Sequence, residues 1–148
     1  MYGQCFARKK RLFSRPSGYV HGCLTRRSTG AGGVVFYANY LKFFERARTE
    51  WLRTLGFSQQ AMRLEDQAMF VVTDTQVRHR QPARLDDLVE VTVRVAESGR
   101  ASLVLEQQAW RDGTLLAEGR IRIGCVDAAS LRPRRMPPAL LSALGLQP

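Results

Sequence analysis

The hydrophobic period of this chain changes once, and that change limits the folds open to it. From Asn39 to Gly56 the pattern is helical: Leu41, Phe44, Arg48, Trp51, Leu52 and Leu55 share a face, all apolar except Arg48. Lys42, Glu45, Arg46, Glu50 and Arg53 fall mostly elsewhere. Asn39 is the expected N-cap and Gly56 the expected stop. About 16 residues at 1.5 Å each predict a rod of roughly 24 Å. Ser58 caps a short helix through Glu65, and beyond it the period is two. Met69–Val77, Leu88–Val95, Ser102–Trp110 and Leu115–Val126 read as strands, joined by turns at Pro82–Asp87, Glu97–Arg100 and Asp112–Gly113. Pro133, Pro137 and Pro138 end the sheet, and Ala139–Leu144 fits a short helix.

An antiparallel sheet with one apolar face and one long apolar helix has an obvious packing solution, in which the sheet wraps the helix. The fold expected is therefore α+β, with a weaker strand at residues 19–26 ahead of the helix. A chain of 148 residues suits one such domain, here placed at 19–138, with 139–148 as a C-terminal tail or short helix. A sheet of this kind leaves an edge strand open, and pairing edges between subunits removes it. A homodimer or homotetramer is expected.

Charge separates the front of the chain from the rest. The first 44 residues hold eight Lys or Arg and no acid, whereas the remaining 104 hold 15 Lys or Arg against 13 Asp or Glu. A near-neutral domain behind a basic leader does not predict nucleic-acid binding. Residues 1–18, with Arg8-Lys9-Lys10-Arg11 and then Pro16-Ser17-Gly18, read as a disordered leader, with an organellar transit peptide as the second reading. No apolar run approaches the roughly 20 residues of a membrane span, and the basic start is not followed by a secretory apolar stretch. Cys5, Cys23 and Cys125 are an odd set without metal-ligand spacing. They read as reduced thiols of a cytoplasmic protein, with no disulfide framework and no metal site.

Before the helix stands a small-residue loop, Thr29-Gly30-Ala31-Gly32-Gly33. It lacks the Lys-Ser/Thr of a phosphate loop and the spacing of a dinucleotide fingerprint. Continued into the helix, however, Ala31-Gly32-Gly33-Val34-Val35-Phe36-Tyr37-Ala38-Asn39-Tyr40-Leu41 and Phe44-Glu45-Arg46-Ala47-Arg48-Thr49-Glu50 resemble the bacterial Tol-Pal-associated acyl-CoA thioesterases, the YbgC family. So do Phe57-Ser58-Gln59-Gln60 and Pro82-Ala83-Arg84-Leu85-Asp86-Asp87. The resemblance runs from Ala31 to Pro138, and it implies a hotdog fold and hydrolysis of acyl-CoA to a free acid and CoA. No cofactor is implied, coenzyme A being part of the substrate. The implied partners are acyl-CoA or acyl-carrier protein, and also envelope or phospholipid-synthesis proteins.

The family motif before the helix is Asp-x-Asp-Ala-Gly-Gly, whose second Asp is the catalytic carboxylate. Here the stretch reads Ser28-Thr29-Gly30-Ala31-Gly32-Gly33, so Gly30 stands in the aspartate's place. Tyr37 occupies the family's usual His position and resembles the related 4-hydroxybenzoyl-CoA thioesterases in this. The resemblance implies that the Tyr37 amide faces the developing oxyanion and that Gly32, Gly33, Val34 and Asn39 contact substrate. Thioester hydrolysis needs a carboxylate nucleophile or base, and donors for the oxyanion. The donors are backbone and survive, but the carboxylate does not. No neighbour replaces it: Ser28 and Thr29 have no evident His partner, and Glu45 and Glu50 read as helix-surface partners of Arg46, Arg48 or Arg53. His79 reads as a packed or solvent-facing strand residue, and Asp86 and Asp87 as turn caps. Phe43, Phe44, Met62, Met69 and Phe70 read as core. The expectation is a weak or inactive thioesterase. The alternatives are a non-catalytic hotdog that binds acyl-CoA or acyl-carrier protein, and an interaction subunit.

Upstream of Ala31 the resemblance stops abruptly. The family has an acidic, tyrosine-containing strand where this chain has Cys23-Leu24-Thr25-Arg26-Arg27. A shifted reading frame or a mis-assigned start across residues 1–30 gives an edge this sharp, whereas divergence scatters substitutions. An Asp-x-Asp strand in another frame of the coding DNA decides between them.

Overall fold

The computed structural model describes residues 17–23, 37–84 and 87–146, with backbone alone for 17–23, 37 and 38. The elements run β1 (Ser17–Cys23), α1 (Tyr37–Thr54), α2 (Gln59–Glu65), β2 (Ala68–His79), β3 (Leu88–Ser98), β4 (Ser102–Arg111), β5 (Thr114–Asp127) and α3 (Pro138–Ala143). The first strand starts two residues before the span expected for it. The leader residues 1–16 lie outside the described residues.

α1 ends as its sequence requires. Gly56 takes φ +88°, its N–H bonds the Arg53 carbonyl at 3.0 Å, and the Phe57 N–H reaches back to the Leu52 carbonyl at 2.9 Å. This is a Schellman stop, satisfying two carbonyls that the helix leaves open. The start differs from the expectation. The helix is already formed at Tyr37, so Asn39 sits inside its first turn and is not the N-cap. Ser58 does cap α2, its hydroxyl accepting from the Ala61 N–H at 3.0 Å.

The five strands form one antiparallel sheet in the order β1-β3-β4-β5-β2. Its inward residues include Val89, Val91 and Val93 on β3, Leu105, Gln107 and Ala109 on β4, and Ala117, Ile121 and Ile123 on β5. Asp112 (φ +46°) and Gly113 (φ +79°) close the β4–β5 hairpin as a two-residue turn, the geometry that matches strand twist. α1 lies in the concave face. Its buried stripe is Tyr40, Phe44, Ala47 and Trp51, with Leu52 beside it. Leu41, expected on that face, is 45% exposed. A Cβ on Gly119 would stand 2.9 Å from the Phe44 ring, so β5 carries no side chain where the helix presses closest. The sheet thus wraps α1 in a hotdog arrangement.

Behind β5 the chain returns to the core. Met136 is buried, its N–H bonds the Arg100 carbonyl at 3.0 Å, and Leu140 and Leu144 are buried on or just after α3. Cys125 is a buried free thiol whose pKa burial raises, which keeps it protonated. Among the described helices none is long and apolar enough to cross a membrane.

Candidate active site

The start of α1 carries no acidic residue in its first turn, while its last turn carries Arg53. The partial positive charge of the unpaired N–H groups is therefore not cancelled by any side chain of that turn. Tyr37 is the first helical residue, so its amide belongs to this donor set.

One long-range contact fixes where that end points. Tyr40 is buried, and its hydroxyl oxygen accepts from the Ala83 N–H at 3.1 Å, tying the first turn of α1 to the turn after β2. Burial pushes the Tyr40 pKa up, against the Ala83 N–H bond that lowers it, so the phenol stays neutral. The Tyr40 ring meets Phe43 edge-on at 5.8 Å between centroids and His79 at 5.3 Å.

Asp87 holds the turn itself. Its Oδ2 accepts from the Arg84 N–H and from Arg111 Nη1, each at 2.7 Å. The Arg84 N–H, then Arg111, hold the Asp87 pKa below the usual carboxylate value. A depressed folded pKa stabilises the fold above the unfolded value and is lost as pH falls through the folded one. Asp87→Asn is therefore expected to lower Tm at neutral pH, with the gap to the unmodified chain closing below about pH 4. Thermal unfolding across pH measures it; a gap independent of pH contradicts the assignment.

The other expected site residues divide sharply. Gly30, Gly32, Gly33 and Val34 lie outside the described residues, as do Ser28, Thr29 and Asp86. Asn39 is half-buried in the first turn. Glu50 pairs with Arg53, as expected of a surface acid. Phe44, Met62 and Phe70 are core. The sequence reading missed the Tyr40–Ala83 tie, although both residues stand in the stretches that carry the family resemblance.

Beside α1, a groove of about 360 Å³ opens between the helix and strands β2, β4 and β5. Its apolar surface includes Leu41, Trp51, Phe70 and Ile121, and Lys42, Glu45 and Arg48 contribute charge. Arg48 Nη1 donates to Gln107 Oε1 at 2.8 Å, and Gln107 Nε2 donates to the Phe44 carbonyl at 2.9 Å. Gln107 is fully buried, so this chain of bonds satisfies both ends of an interior amide. Burial lowers the Arg48 pKa, and the Glu45 charge opposes that shift.

Fold and site together define a hotdog protein with an apolar groove beside its central helix. The chain matches the Thioesterase superfamily over residues 32–118. It is 42% identical over 115 residues to the acyl-CoA thioesterase YbgC of Haemophilus influenzae, covering 78% of this chain and 85% of that one. It is 43% identical to the acyl-CoA thioester hydrolase YbgC of Escherichia coli O6:H1, covering 77% and 85%. The crystal structure of a probable thioesterase from Bartonella henselae superposes with TM-score 0.78 at 27% identity, covering 82% of this chain and 99% of that one. The chain belongs to the thioesterase superfamily.

Proposed function

We propose that this chain is an acyl-CoA thioester hydrolase of the YbgC group whose turnover is weakened by Gly30. The observation that carries the reading is the acid-free start of α1, collinear in sequence with relatives named for acyl-CoA hydrolysis. The thioester carbonyl sits against the Tyr37 amide, where the helix end stabilises the charge that develops on its oxygen. Water attacks the carbonyl carbon, the C–S bond breaks, and the proton passes through solvent to the departing CoA thiolate because no carboxylate takes it; loss of a general base costs roughly a hundredfold or more. Calorimetry with acyl-CoAs of graded length, run beside a hydrolysis assay, tests this. Binding with slow turnover is expected. Turnover as fast as that of the YbgC relatives contradicts the role given to Gly30, and absence of binding contradicts the reading as a whole.

The chain works as a homodimer joined along β2. Among the described strands β2 is a sheet edge, and Val72 on it is 51% exposed. Pairing the open β2 edges of two copies would satisfy the ladder groups that each copy leaves free there. Sedimentation is expected to give a dimer that Gln76→Pro converts to monomer, since proline removes a ladder donor. A dimer unaffected by Gln76→Pro places the interface elsewhere.

A further inference from the structure

Arg48 is a cation in a groove whose one acid, Glu45, does not form an ion pair with it. Among the described residues no carboxylate lies within ion-pair distance of it, and Glu45 acts on it only at longer range. Among the described residues its hydrogen bond goes to Gln107, whose amide N–H is already committed to the Phe44 carbonyl. Gln107 therefore must turn its oxygen to the guanidinium and fixes it on the groove wall. A guanidinium has five N–H donors, and partly desolvated charges are ordinarily paired. Fastening α1 to β4 would need only a neutral donor, and the half-buried guanidinium keeps its charge available to a ligand.

Position along the helix limits what that ligand can be. Side chains lean toward the helix N-terminus, which brings the guanidinium near the level of Phe44, whose carbonyl shares Gln107 with it. Phe44 lies about 10 Å along the axis from Tyr37. A benzoyl-sized group held at Tyr37 stops short of Arg48, and a plain chain reaches it without an acceptor to offer. The groove volume of about 360 Å³ is at the lower end of small-molecule sites, roughly 300–1,000 Å³.

Resting on the acyl-thioester reading above, we propose that Arg48 is a specificity-determining residue that receives the terminal carboxylate of a medium-length dicarboxylic acyl group lying in this groove. Paired with a carboxylate, the guanidinium gains the charge-assisted bonds that the protein alone leaves unmade.

The test is binding, which does not depend on turnover. Hydrolysis-resistant thioether analogues of octanoyl-CoA and suberoyl-CoA have the same chain length and differ in the terminal carboxylate. The unmodified chain is expected to bind the suberoyl analogue at least about tenfold more tightly. Arg48→Met, which keeps the aliphatic stem, is expected to abolish that preference while changing octanoyl affinity by less than about threefold. Circular dichroism verifies its fold. If Arg48→Met does not fold, Arg48→Lys carries the test, with a preference reduced several-fold. Equal affinities in the unmodified chain, a preference that survives Arg48→Met, or one undiminished in Arg48→Lys, overturns the assignment. Failure of both analogues to bind removes the acyl-CoA reading itself, and the role of Arg48 with it.

Discussion

Gly30→Asp is expected to raise acyl-CoA hydrolysis by about a hundredfold or more, the usual contribution of a general base or nucleophile. The reasoning turns on which half of the catalytic machinery depends on side chains. The oxyanion side proposed above is a helix end, and helix ends follow from the fold: α1 starts at Tyr37, carries no acid in its first turn, and is tied at Tyr40 to the Ala83 N–H. None of this changes when residue 30 changes. The nucleophilic side needs one carboxylate, and the position that the family gives to it is glycine. The gain should appear in kcat with little change in KM, because a base acts on the transition state more than on the bound thioester. A variant no faster than the unmodified chain means that more than one group is missing.

Phe44→Ala is expected to destabilise the fold by about 3–5 kcal/mol, the range for deleting a buried phenylalanine. Phe44 is fully buried at the closest approach of α1 to the sheet, against Gly119. Its neighbours cannot close the space easily, since β5 offers only a glycine there and the Phe44 carbonyl is held by Gln107. For a chain of this length the loss corresponds to a fall in Tm on the order of 10 °C. Urea unfolding measures it, and a cost under about 1 kcal/mol would mean that α1 is not the centre of the core.

The parts of the fold legible in the sequence were those with a local cause. The change of period marked α1 and four strands, Gly56 marked the end of α1, and Asp112-Gly113 marked a hairpin, because each depends on residues a few positions apart. The start of α1 was misplaced for the same reason. Asn39 is a good cap by residue type, yet the helix already runs from Tyr37. The buried stripe was offset in part because positions 40, 44, 47 and 51 and positions 41, 44, 48, 51, 52 and 55 describe faces only a fraction of a turn apart. A helical pattern cannot choose between them, and the sheet chose the first, leaving Leu41 to the groove.

The site depends on contacts that no local pattern contains. Tyr40 meets Ala83 from 43 residues away, and Arg48 meets Gln107 from 59. Arg48 did stand out as the one charge on an apolar face, and Gln107 stands inward on β4 between Leu105 and Ala109. Each oddity explains the other only once the sheet has curled around the helix. The Gly30 substitution is legible solely through family resemblance, since a glycine in a glycine-rich loop has nothing unusual about it.

Infrared difference spectroscopy of a bound acyl-CoA with a carbon-13-labelled thioester carbonyl probes the helix start itself. The slow turnover expected of the Gly30 chain gives the complex time to be observed. If the α1 end polarises the carbonyl, its stretch moves to lower frequency than in water. A bound ligand whose carbonyl stretch stays at the aqueous position would contradict the placement of the thioester at Tyr37.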